Sequence, residues 1–246
     1  WVLNKNWFSI RRFRKELLRP LLIIAIPLVP NFLIYWVFNS CDRIMIANLM
    51  DLGSAGVYSV GSKLGHTSQL IYTAFAGGWQ YFAFSTMQDK NQVQNNSRVF
   101  EYLGVISFVC SVFIFALSKT IFQIVFAEEY FGGYIVAPYL FLAPLLQMLF
   151  QIASNQFLVV KKTWPNLLIL SLGAFGNIVL NSLLIPCLGI EGAAVATLAG
   201  YAISTIMCVL VLVKIRLQVV EKKFVIAVVL LGVYIVLWRM VMKDHV

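Results

Sequence analysis

About seven stretches of this chain stay apolar over the ~20 residues that a helix needs to cross a ~30 Å hydrocarbon layer, and no other feature restricts its folding as strongly. They run roughly from 20 to 50, 54 to 86, 98 to 126, 131 to 160, 163 to 186, 189 to 213 and 223 to 242. The alternating pattern of a membrane β-barrel is absent, so helices, which satisfy their backbone internally, are what remains for a segment in lipid. The chain is therefore predicted to be all-α, a polytopic membrane helical bundle with about seven transmembrane helices. Composition agrees: 61% of the 246 residues are hydrophobic and 12% are charged. A soluble domain is about half apolar and about a quarter charged.

The net charge of +9 does not imply nucleic acid, because most Lys and Arg lie in short loops between apolar runs and form no basic stripe on a soluble face. Residues 1–19 interleave Trp1, Trp7, Phe8, Phe13 and Leu17 with Lys5, Arg11, Arg12, Arg14, Lys15 and Arg19, which reads as a basic amphipathic cytoplasmic segment or an ordinary inner loop. With that segment inside, the inner loops receive Lys90 and Arg98, then Lys161 and Lys162, then Lys214, Arg216, Lys222 and Lys223. The outer turns hold Asp51, Glu128, Glu129 and Glu191, as positive-inside topology requires. Arg239 and Lys243, which fall outside on this count, fit it poorly. The expected organisation is segment 1–19, a six-helix transmembrane bundle over 20–213, and a cytoplasmic loop with an additional C-terminal transmembrane helix over 214–246. The chain opens on Trp1 with a basic stretch where a signal peptide would be apolar. It is expected to be a piece of a longer protein.

Three charges interrupt the first two apolar stretches. Asp42 and Arg43 lie in the first and Lys63 in the second, and each costs several kcal/mol at bilayer depth, about 2.5–3.5 on insertion scales. Asp42 and Lys63 each lie about ten residues from a turn near Leu52 and Gly53, roughly 15 Å along antiparallel helices, so an ion pair between them is expected. Polar residues accompany them: Pro27, Asn31, Tyr35 and Asn39 step toward Asp42, while Ser59, Ser62, His66, Gln69, Thr73 and Gln80 form a stripe beside Lys63. Gln147, Gln151 and Asn155 recur at four-residue steps in the fourth stretch, and Gly173, Asn177 and Asn181 do so in the fifth. Lipid would reject such faces, so they line either a hydrophilic cavity or helix interfaces. The candidate cavity residues, for substrate or coupling ion, are Asn39, Asp42, Arg43, Lys63, His66, Gln147, Gln151, Asn177 and Asn181. Structural ion-pair glue is the alternative for the charges, and a packing histidine is the alternative for His66. Gly192, Ala196 and Gly200 read as close helix packing.

Enzyme signatures are thin, and the chain is not expected to be an enzyme. No GxSxG, P-loop or dinucleotide fingerprint is present. Neither His66 nor His245 has acidic or thiol partners at ligand spacing, so no metal and no cofactor are expected. Cys41, Cys110, Cys187 and Cys208 lie in or at the ends of apolar stretches and read as small core residues. Adjacent Glu128 and Glu129 read as a solvated turn.

The run NSCDRIMIANLMDLGSAGVYSVGSKL, Asn39 to Leu64, resembles a segment of bacterial polysaccharide exporters, the O-antigen-type lipid-linked oligosaccharide flippases. APYLFLAPLLQMLF, the KKTW turn and NIVLNSLLIPCLGIEGAAVATLAGY are similar to later helices of that family, so the likeness covers most of 20–213. The first block and the LNSLLIP to GAAVAT block are its specific parts, and Ile44 departs from the aromatic often found after Asp-Arg. The resemblance implies the C-terminal bundle of a MATE-like flippase plus an extra helix, facing an N-terminal bundle of the same protein. It implies a multi-pass protein of the bacterial cytoplasmic (inner) membrane that flips undecaprenyl-diphosphate-linked oligosaccharide by alternating access, with membrane lipids and polysaccharide-assembly proteins as further partners. Carried over residue by residue, Asp42, Arg43 and Lys63 match the motif, with Asp42 holding Lys63 or Arg43 until substrate arrives. For the coupling ion, Asp42 and His66 suit protons, while Asp42 with nearby carbonyls suits sodium. The alternatives are a MATE-type cation-coupled exporter of small molecules and an integral-membrane enzyme of glycan assembly.

Overall fold

The computed structural model describes residues 21–243 apart from 24, 27, 28, 87, 88 and 90. The segment 1–19, Pro27 and Lys90 therefore lie outside the described residues. The chain forms α1 (Val29–Leu49), α2 (Leu52–Gly65), α3 (Ser68–Ser85), α4 (Gln92–Val125), a 3₁₀ segment Glu128–Tyr134, α5 (Ala137–Val159), α6 (Trp164–Leu188), α7 (Ile190–Lys214) and α8 (Lys222–Lys243). No strand occurs among the described residues. The protein is an all-α membrane bundle, and five of these helices, α4 to α8, are long and apolar enough to cross a bilayer.

The first two apolar stretches behave differently. Helix α1 is long enough at 21 residues, but Asn39, Asp42 and Arg43 dilute its apolarity. The second stretch is not one span: it breaks at His66 and Thr67 into α2 and α3. At the break Thr67 Oγ1 donates to the Leu64 carbonyl at 2.7 Å, and Ser68 Oγ donates to the Gly65 carbonyl at 3.1 Å. Short hydroxyl side chains thus take backbone acceptors that a continuous helix would use. Ser68 Oγ also donates to the Phe141 carbonyl of α5 at 2.7 Å, which pins the break to the centre of the bundle.

Helix α5 is that centre. In its most apolar window 89% of residues are buried, against 17% for α8, and it packs on α2, α3, α4 and α7. Pro144 inside it cannot donate to the carbonyl of Leu140, so the core helix is weakened beside the α2–α3 break. Helices α6 and α7 pack along their lengths and against α1. Their turn is Gly189, at φ +60°, a left-handed conformation that glycine adopts without strain. The close packing expected of Gly192, Ala196 and Gly200 is present: a Cβ on Gly200 would lie 2.8 Å from Phe38 Cε1 of α1 and 2.9 Å from Asn177 Cβ of α6.

The two ends of the bundle carry opposite charge. One end holds the turn at Asp51, the 3₁₀ segment with Glu128 and Glu129, and Glu191, which with Gly132 and Arg239 lines a cavity of ≈ 490 Å³. Asp51 caps α2, accepting from Ser54 N at 2.8 Å, and the bonds from Ser54 hold its carboxyl below the usual carboxylate range. At the other end Gln92 bonds Gln156 at 3.0 Å, and Asn96 bonds Gln218 at 3.1 Å. These bonds join the loops and helix ends that carry Arg98, Lys161, Lys162, Lys214 and Arg216. Arg239, the misfit of the charge count, is neutralised on the acidic end by a 2.6 Å ion pair with Glu191. Helix α8 is otherwise held on α4 by Phe224 against Phe100 and Phe108, and by Tyr234 bonding the Val112 carbonyl at 3.2 Å.

Gly200→Val should push α1 away from α6 and α7. The overpacking is expected to cost about 1–3 kcal/mol, read as a lower unfolding temperature of the purified protein in detergent, while Gly232→Ala, where a Cβ meets nothing within 4 Å, should not lower it.

Candidate functional site

Asp42 sits on α1 at 3% exposure, surrounded by three other helices. Its Oδ2 accepts from Tyr58 Oη of α2 at 2.6 Å and from Thr197 Oγ1 of α7. Its Oδ1 accepts from Asn181 Nδ2 of α6 at 2.7 Å. Asn177, one turn before Asn181, donates through Nδ2 to Thr197 Oγ1 at 3.0 Å, and its Oδ1 accepts a longer bond from Asn181 Nδ2 at 3.4 Å. A carboxylate out of water needs its lone pairs met by donors or by a cation. Here neutral donors meet them.

The expected Asp42–Lys63 ion pair does not form. Among the described residues the ion pair within 4 Å is Arg239–Glu191. The reason is angular: Lys63 lies five residues past Tyr58, which turns it ~140° away around α2. Tyr58 is buried against Asp42 while Lys63 is exposed. Depth was matched across the hairpin, but the facing residue is the tyrosine. Arg43 is exposed as well, and its guanidinium makes a long contact of 3.4 Å to Ser62 Oγ. Neither base is held by Asp42.

Beside the carboxylate lies a cavity of ≈ 20 Å³, room for about one water molecule. Asn39, Arg43, His66, Gln69 and Gln147 line it together with Asp42, Tyr58 and Thr197. The α2–α3 break delivers His66 to this wall, and Pro144 and Leu140 of the weakened α5 form the opposite one. Phe38 and Tyr201, stacked at 4.1 Å, line it as well. Of the residues singled out from sequence, Asn39, Asp42, Arg43, His66 and Gln147 share this cavity, and Asn177 and Asn181 hold its carboxylate. Lys63 and Gln151 are not among its lining residues. Asn39, exposed, spends its amide on the Tyr35 carbonyl at 2.8 Å. Among the described residues no three His, Cys, Asp or Glu side chains come together as a metal centre would need.

Two participants escaped the sequence reading. Tyr58 lies within the Gly-Val-Tyr-Ser run, five residues before Lys63, whose charge is the more conspicuous signal. Thr197 stood in the small-residue run read as scaffold. A buried acid demands donors, so hydroxyls at helical spacing on neighbouring stretches were the available signal.

A family model described as polysaccharide biosynthesis protein matches residues 2–133. The chain belongs to that family. The matched part holds Asp42, Arg43, Tyr58 and Lys63, whereas Asn177, Asn181 and Thr197 lie beyond it. Comparisons with curated proteins and with solved structures found no match. The chain is thus a membrane protein of a polysaccharide-biosynthesis family, built around a hydrogen-bonded buried carboxylate.

Tyr58→Phe removes one of the donors to Asp42. A loss of about 1.5 kcal/mol is expected, between the ~0.6 average of interhelical bonds in membranes and the larger value for a charged acceptor, measured by unfolding in detergent. Lys63→Gln should change stability by less than about 0.5 kcal/mol.

Proposed function

We propose that this chain is half of a transporter that carries an undecaprenyl-diphosphate-linked oligosaccharide across the cytoplasmic membrane by alternating access. The observation that carries the reading is the state of the two bases: Arg43 and Lys63 are exposed at bilayer depth with no acidic partner within 4 Å among the described residues. A cation kept in lipid-facing or cavity-facing surroundings without a protein anion is stabilised by an anion from elsewhere. A diphosphate supplies one, and a guanidinium can fork onto its oxygens. Family membership in polysaccharide biosynthesis supports a sugar-bearing substrate.

The broken α2–α3 pair adds a mechanical argument. Discontinuous helices near the midplane, meeting a proline-weakened neighbour, are the usual material of transporter sites. The acidic end then faces outward and the basic end faces the cytoplasm, as the positive-inside rule requires. The second bundle that alternating access needs would come from another part of the same protein. Release of Lys63 or Arg43 from Asp42 has no place in this scheme, because neither is bound there. A small-cation exporter is disfavoured for the same reason: the carboxylate is enclosed by donors, and the accessible charges are basic.

The test is flipping of a lipid-linked oligosaccharide in proteoliposomes. Arg43→Ala and Lys63→Ala are each expected to lower the rate by about tenfold or more, with Arg43→Lys intermediate because an ammonium cannot fork. Full rates in both alanine variants, at unchanged insertion, would sink the reading.

A further inference from the structure

We propose that the cavity beside the Glu191–Arg239 ion pair binds one phospholipid with an ethanolamine phosphate headgroup, its acyl chain in the cavity and its headgroup on the ion pair. The cavity shares no lining residue with the one beside Asp42, and its occupancy does not rest on the transport reading.

At ≈ 490 Å³ the cavity has the size of a small-ligand site, about 300–1,000 Å³. Its walls come from several elements: Met50 of α1, Val57 of α2, Leu188 of α6 and Trp238 of α8, with Ile135 just beyond the 3₁₀ segment. Such walls favour hydrocarbon over water. Hydrocarbon is also what surrounds them, since Leu237, Met240 and Val241, which flank Trp238 and Arg239, are exposed apolar side chains on a membrane-length helix. The depth is that of headgroups. Both the α1–α2 turn and the α6–α7 turn contribute to the lining, and an indole such as that of Trp238 belongs at the membrane–water boundary.

The charged part of the lining is only half used. Arg239 Nε donates to Glu191 Oε1 at 2.6 Å, and Tyr139 Oη donates to the same oxygen at 3.1 Å. Glu191 Oε2 receives a long bond of 3.4 Å from Arg239 Nη2, and Arg239 Nη1 has no acceptor among the described residues. Ser54, which also lines the cavity, spends its hydroxyl on Asp51 at 2.7 Å. One edge of an apolar chamber thus offers an underused carboxylate oxygen beside an underused guanidinium. A phosphate oxygen answers the guanidinium, and a primary ammonium with its three N–H donors answers the carboxylate. An ethanolamine phosphate carries both. A choline headgroup has the positive charge but no N–H to donate. A headgroup of net negative charge is opposed by Glu191 in the lining and by Asp51, Glu128 and Glu129 at the same end.

The measurement uses the purified full-length protein, stripped of lipid in detergent and titrated with dioleoyl phosphatidylethanolamine, phosphatidylcholine or phosphatidylglycerol. Bound lipid is counted by native mass spectrometry, and the unfolding temperature is recorded alongside. The ethanolamine lipid should bind about tenfold more tightly than the other two, the effect of one charge-assisted hydrogen bond, and should raise the unfolding temperature most. Arg239→Gln should weaken its binding by about tenfold or more. Glu191→Gln should turn the preference toward phosphatidylglycerol, because Arg239 then meets a phosphate with no carboxylate beside it; an ion pair that only braces α8 would not move lipid preference. Gly132→Leu leaves the ion pair in place and fills the cavity, its Cβ meeting Val57 Cγ1 at an ordinary 3.6 Å. It should abolish binding, and it decides the matter if the charge variants fail to fold. Equal binding of the three lipids would overturn the proposal. So would unchanged binding in Gly132→Leu, an unchanged preference in a folded Glu191→Gln, or displacement of the ethanolamine lipid by equimolar undecaprenyl diphosphate, which would make the cavity part of a substrate site. Flipping is not part of the readout, so a protein that retains the lipid but flips nothing counts against the transport reading only.

Discussion

Burial of the Asp42 carboxylate is the constraint on which this bundle's arrangement turns. A carboxylate at 3% exposure in a protein surrounded by lipid has no water to fall back on, so its neighbours must donate. The donors come from three different helices: Tyr58 on α2, Asn181 on α6 and Thr197 on α7. One side chain thereby fixes the rotation of four helices about their axes. Apolar packing could not do this alone, because helices in lipid gain little from exchanging tail contacts for side-chain contacts. The hydrogen bonds set the register, and small residues such as Gly200 let α1, α6 and α7 approach closely enough to make them.

The remainder of the bundle is arranged around that knot. Helix α5 supplies the buried apolar centre, and its Pro144 lies where α2 gives way to α3. Two weak points therefore face each other across the small cavity. The ends of the bundle are tied by polar bonds of a different kind. Amide and hydroxyl contacts join the basic loops, and the Tyr139–Glu191–Arg239 cluster closes the acidic end. Rigidity is concentrated at the knot and at the ends, and discontinuity lies between them.

Much of this was legible in the sequence because membrane length and charge asymmetry are one-dimensional signals. Helices α4 to α8 and the sorting of charge between the ends follow from counting residues along the chain. So does the importance of Asp42, since an isolated acid in an apolar run is conspicuous. What was not legible was rotation. Depth along a helix can be read from spacing, but which of Tyr58, Ser62 and Lys63 faces the neighbouring helix depends on crossing geometry. The attraction of opposite charges pointed to Lys63, and the packing selected Tyr58. Thr197 was hidden for another reason: a hydroxyl within a run of alanines and glycines resembles scaffold until a buried acceptor is placed beside it. The break at His66 was obscured because residues 54 to 86 remain sufficiently apolar to read as one helix, and only the hydroxyls of Thr67 and Ser68 disclose the interruption.

The adjacency of Asp42 and Arg43 gives α1 a division of labour. Consecutive residues on a helix point ~100° apart, so one turn presents an anion to the interior knot and a cation toward the cavity wall and the surface. The two charges do not neutralise each other, and each is left to a different partner. On the transport reading Asp42 keeps its ring of neutral donors and Arg43 takes a phosphate, on two sides of the same rigid helix. Any change in what the carboxylate holds alters the bonds from α2, α6 and α7 that set the rotation of α1, and that rotation carries Arg43 with it. Coupling between the two sites then needs no pathway longer than one peptide bond. It needs only that α1 turn as a body.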